Sequence, residues 1–91
     1  MQTLTITTRA RFEMLDITEP VAALVRKSGI SQGSCHVFVP HTTAAVTINE
    51  NADPDVPQDI LTGLDRIIPL SAGYRHGEGN SAAHIKASLF G

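Results

Sequence analysis

The chain has no tryptophan, one cysteine and only four ring side chains besides histidine, Phe12, Phe38, Tyr74 and Phe90. With 42% of residues hydrophobic but 4% aromatic, a core must come from Val, Ile, Leu and Ala, which bury less area per residue than rings do. One cysteine, Cys35, excludes an intrachain disulfide and fits a reducing cytoplasm. Its apolar neighbours Val37, Phe38 and Val39 predict a buried strand residue rather than a reactive thiol. No long apolar run opens the sequence: MQTLTITTRA alternates, unlike a signal peptide. Charge of one sign is lacking too. A net charge of −2, with seven basic residues scattered along the chain, gives no footprint for nucleic acid and none for a membrane surface.

Ninety-one residues amount to one small domain, 1–91. A chain of this size buries only about 60–65% of the surface exposed when unfolded, so self-association is a natural supplement to its core.

Period-two patterns predict strands at 2–8 (QTLTITT), 11–17 (RFEMLDI), 34–39 (SCHVFV, closed by Pro40) and 44–48 (AAVTI). Three stretches predict helices. The first runs over 18–28, with Thr18 or Glu19 as cap, Pro20 early, Val21, Leu24 and Val25 facing inward and Gly29 as the stop. The second opens at Asp53-Pro54, with Asp53 as cap and Pro54 in first position; Val56, Ile60, Leu64 and Ile67 or Ile68 form its apolar stripe, and Pro69 ends it. The third is a short helix from a Ser81 cap to about residue 89, after a glycine-rich loop at 71–80. This order predicts an α+β fold rather than a parallel α/β repeat. Two or three helices and about four strands leave a sheet edge or face uncovered.

The polar residues concentrate in two places, HTTAAVTINENADPDV at 41–56 and YRHGEGNSAAHIK at 74–86. His41, bracketed by Pro40 and Thr42 at a strand end, is well fixed to line a pocket. His36, inside an apolar strand, reads as structural. His84 and Ser88 lie one turn apart on a face separate from Ile85 and Leu89, which suits either a cavity or a solvated helix surface. His76 sits in the glycine-rich loop. Three neutral imidazoles converging from separate elements suit a divalent transition metal with an open position, although the spacing matches no structural zinc pattern. Glu50, between Asn49 and Asn51, is the best general acid or base candidate. Asp55 and Asp59, at i and i+4, either stand in solvent or share a cation or proton. Gly73, Gly77 and Gly79 are either turns or exposed amides for an anion beside Arg75.

The two motifs, in this order and at this separation, closely resemble the YjbQ family, whose members are described as secondary thiamine-phosphate synthases. The resemblance covers essentially the whole chain. It implies an α+β fold of antiparallel sheets in a two-sheet sandwich with two to three helices, assembled as a homotrimer. It also implies that polar residues of this site correspond to His41, Asn49, Glu50, Asp55, His76 and His84. Family members continue past the position of Gly91 with further strands, so the resemblance implies a domain incomplete at its C-terminus.

The implied activity joins a pyrimidine pyrophosphate to a thiazole phosphate and releases pyrophosphate. In that reading His41, His76 and His84 hold a divalent metal, zinc or magnesium, while Asn49, Glu50 and Asp55 serve catalysis. Arg75, Thr42 and Ser88 contact a phosphorylated small-molecule substrate. Two alternatives use the same residues: metal-dependent hydrolysis of a phosphoester, and a non-catalytic trimeric module that binds a metal or metabolite.

Overall fold

Three helices make up the regular structure of residues 1–90, which the computed structural model describes. They are α1 (Thr18–Ser28), α2 (Asp55–Ile67) and α3 (Ser81–Leu89). The backbone divides into a unit spanning Met1–His36, which holds α1, and a second unit from Val37 onward, which holds α2 and α3.

In the first unit, α1 starts where its sequence predicts, but its cap is Ile17, which makes no side-chain capping bond. The first amide is satisfied from one residue further back, Thr18 N–H donating to Asp16 Oδ1 at 2.9 Å. Gly29 ends the helix in the left-handed region at φ 73°, with its N–H on the Arg26 carbonyl. A Cβ there would meet nothing within 4 Å, so glycine is required by the backbone angle and not by crowding. Val21 and Leu24 are half-buried, whereas Val25 is exposed.

In the second unit, Asp53 stands one residue before the cap rather than at it, and braces the start of the helix. Its Oδ1 accepts the Asp55 N–H at 2.9 Å, and its carbonyl accepts the Val56 N–H at 3.1 Å. Pro54 is the capping residue itself, and the helix proper begins one position later. Along the stripe Val56, Ile60 and Leu64 are half-buried. The choice at its end falls on Ile68, buried at 6% exposure, while Ile67 stands 76% exposed. Ile68 and Ala82 are the only buried hydrophobic residues among those described. Tyr74 ties the glycine-rich loop back to the end of α2, its hydroxyl donating to the Pro69 carbonyl at 2.9 Å. The cap of α3 is Asn80 rather than Ser81.

The α+β expectation is overturned. Among the described residues there are no strands, so the two-sheet sandwich is absent and the regular structure is helical. The reason is the range of the hydrogen bonds. A helix closes its N–H···O=C bonds within its own segment, four residues apart, so a favourable sequence suffices. A strand leaves every such group to a neighbour, and period-two patterning supplies a two-faced segment without supplying the neighbour. The side chains that strands would have covered are correspondingly open: Leu4, Ile6 and Met14 are exposed, Phe38 is 73% exposed and Ile48 98%. Cys35 and His36, expected in a buried strand, are exposed as well. No helix among the described residues is long and apolar enough to cross a membrane.

Candidate functional site

His41 is held by its own neighbours. Its N–H donates to the Val39 carbonyl at 2.9 Å, closing a tight turn around Pro40. Its ring turns back on the chain: the Thr43 N–H donates to His41 Nδ1 at 3.1 Å, and Thr43 Oγ1 lies 3.0 Å from the same nitrogen. This is the geometry an Asn or Asp side chain makes in an Asx-turn, with imidazole as the acceptor.

Helix α3 brings His84 to the same place. His41, Thr42, His84, Ala87 and Ser88 line one cavity of about 380 Å³. The i, i+4 pairing of His84 and Ser88 places both on this open cavity, where Ser88, His41 and Thr42 remain exposed. Ser88 does not offer its proton there, because its hydroxyl donates to the His84 carbonyl at 2.8 Å. Only its oxygen lone pairs are left to a ligand.

A second cavity, of about 450 Å³, is lined by Tyr74, Arg75, His76, Ser81, His84 and Ile85. His84 belongs to both. The His76 ring meets the His84 ring edge-on, with centroids 5.4 Å apart, and His76 Nε2 lies 4.0 Å from Glu78 Oε2. Ser81 opens α3, so the positive end of that helix adds to the guanidinium of Arg75 on one wall.

Of the residues singled out from sequence, His41, Thr42, His84 and Ser88 share one cavity, and Arg75, His76 and His84 share the other. Asn49, Glu50 and Asp55 line neither. Asn49 and Glu50 bond locally, the Glu50 N–H donating to Asn49 Oδ1 at 2.7 Å. Asp55 begins α2. Sequence reasoning missed Thr43, for which the signal was the i, i+2 spacing from His41, and Tyr74, the lone tyrosine at the edge of the loop.

The donor set does not fit a metal held by three histidines. Among the described residues no group of three or more His, Cys, Asp or Glu side chains is arranged to hold a metal ion. The Nδ1 lone pair of His41 is also taken by the Thr43 amide.

Known proteins are similar to this chain in sequence and backbone. A family model described as UPF0047 protein YjbQ-like matches residues 2–91. The chain is 49% identical over 92 residues to UPF0047 protein YugU of Bacillus subtilis, covering 100% of this chain and 70% of that protein. It is 48% identical over 86 residues to a UPF0047 protein of Methanocaldococcus jannaschii, covering 94% of this chain and 62% of that one. Among solved structures, an uncharacterised conserved protein of the YjbQ/UPF0047 family from Clostridium acetobutylicum superposes with a TM-score of 0.91 at 55% identity. That match covers 94% of this chain and 67% of the other. A conserved hypothetical protein from Thermus thermophilus gives a TM-score of 0.71 at 40% identity, over 87% of this chain and 61% of its own. The chain thus spans 62–70% of the length of the two curated relatives.

Proposed function

The chain belongs to the YjbQ-like UPF0047 protein family, and on that premise we propose that it binds a phosphorylated small molecule across the two cavities that share His84. The observation carrying this reading is that sharing, which sets His84 beside Arg75 and His76 in one cavity and beside His41 in the other. A guanidinium forks onto phosphate oxygens through paired N–H donors, and neutral imidazoles donate one N–H each. Ser81 at the start of α3 adds the favourable end of a helix dipole.

The finer form of the proposal is a transfer of the thiamine-phosphate-synthase type, in which a pyrimidine pyrophosphate joins a thiazole phosphate and pyrophosphate leaves. Two adjoining cavities suit two phosphate-bearing reactants. Arg75 meets the charge that grows on the departing pyrophosphate, and the histidines hold the phosphate oxygens in place. No step of this reading runs through a metal. The trimeric assembly implied by the family resemblance and the cytoplasmic setting suggested by the single cysteine belong to the same proposal.

A second reading, binding without turnover, is favoured by one observation: no carboxylate lines either cavity, and Glu50, the sequence's candidate for proton transfer, is among the absentees.

Titration with inorganic phosphate and pyrophosphate, followed by a product assay with a pyrimidine pyrophosphate and thiazole phosphate pair, tests both readings and separates them from phosphoester hydrolysis. Pyrophosphate release that depends on both reactants supports transfer. Orthophosphate release from one reactant alone points to hydrolysis, and saturable binding without product points to the module. His84→Ala should weaken pyrophosphate binding at least about tenfold, the scale of one lost hydrogen bond to a charged group. An unchanged affinity in that variant would reject the shared site.

A further inference from the structure

The bonds around His41 fix which of its nitrogens carries the proton. The Thr43 amide donates to Nδ1 at 3.1 Å. A backbone N–H can only donate, so Nδ1 must present its lone pair, and the single proton of the neutral ring then sits on Nε2. The Thr43 hydroxyl, 3.0 Å from the same nitrogen, is compatible with this as a second donor. The turn around Pro40 holds the His41 backbone on the other side, while the ring is held through Thr43.

This assignment sets what His41 can do in the cavity it shares with Thr42, His84 and Ser88. To ligate a metal through Nε2, a neutral imidazole must carry its proton on Nδ1, which it usually gives to a carboxylate, carbonyl or water. At His41 that nitrogen faces an amide donor instead. To ligate through Nδ1, the ring would have to break the Thr43 bond. The edge left to a ligand is therefore an N–H donor. Ser88, whose own proton is committed to the His84 carbonyl, cannot substitute for it.

We propose that His41 is a fixed Nε2–H donor to an anionic oxygen rather than a metal ligand, and that the main-chain amide of Thr43 is the positioning group that makes it so. The anionic oxygen is one of the phosphate oxygens of the ligand class proposed above, and to that extent the inference rests on that reading. The choice of tautomer rests on the His41–Thr43 geometry alone.

The test is nitrogen-15 NMR of the whole chain labelled at histidine, with the four imidazoles assigned through His41→Gln and through-bond correlation. The expected result is a His41 ring with an unprotonated Nδ1 and a protonated Nε2 in the free protein. Pyrophosphate should shift Nε2, and zinc should leave both nitrogens at their free positions. His41→Gln, whose amide also donates, should keep pyrophosphate affinity within about threefold, while His41→Ala loses about tenfold. Thr43→Val, which retains the amide and discards the hydroxyl, should keep the tautomer. A proton found on Nδ1, a zinc-induced shift at Nε2, or a tautomer change in Thr43→Val overturns the proposal. If pyrophosphate fails to bind while Nε2 remains protonated and zinc leaves the ring unmoved, the phosphate reading falls and the donor assignment stands supported.

Discussion

The imidazoles of His76 and His84 meet edge to face, their planes at 90° and their centroids 5.4 Å apart. One residue comes from the glycine-rich loop and the other from the first turn of α3, so the contact fastens loop to helix where the two cavities adjoin. An edge-to-face pair of rings contributes about 0.5–1.5 kcal/mol beyond the area it covers.

That contact predicts a measurable coupling. In a double-mutant cycle with His76→Ala and His84→Ala, urea unfolding should give an interaction energy of about 0.5–1.5 kcal/mol. His76→Phe keeps a ring at the contact and should retain most of that stability. A coupling near zero would mean that the loop is held by Tyr74 and Pro69 without help from the histidines.

Ile68 should dominate the sensitivity of α2. It is buried, and its N–H also closes the last turn on the Leu64 carbonyl at 2.7 Å. Ile68→Ala should cost about 2–4 kcal/mol by chemical denaturation, the usual range for truncating a buried isoleucine. Ile67→Ala, one residue earlier on the exposed side, should fall within about 0.5 kcal/mol of zero. Similar costs for the two would contradict the face assigned to the helix.

Asn80 predicts an unusually mild capping mutant. It caps α3 without a side-chain capping bond, and its Oδ1 is buried with no hydrogen-bond partner. Removing an asparagine cap ordinarily costs about 1 kcal/mol. Here Asn80→Ala deletes an acceptor that is already desolvated and unmatched, so the expected change is below about 0.5 kcal/mol, of either sign. A full capping loss, read from the thermal midpoint and helicity together, would show that Oδ1 has a partner in solution.

Much of this protein was legible in its punctuation. Gly29, Asp53-Pro54 and Pro69 marked helix ends that the backbone honours, and the stripe from Val56 to Ile68 marked the inward face of α2. The i, i+4 pair of His84 and Ser88 lies along one open cavity. The acidic cluster stands apart from both cavities. Glu50 and Asp55 look like site residues because they follow His41 closely, yet proximity along a chain does not aim side chains into one cavity, and neither lines one. The strands misled: alternation describes the two faces of a segment and is silent on whether a partner lies beside it.

What the sequence alone determined was therefore what closes its bonds locally: three helices and their stops. The tertiary structure decided which of the four histidines meet, that His84 stands in two cavities at once, and that no strand forms among the described residues. The division follows from the range of the forces. A helical or turn hydrogen bond joins residues two to four apart, which a sequence specifies directly. A cavity wall or a ladder joins residues separated by tens of positions, and only the folded backbone supplies that distance.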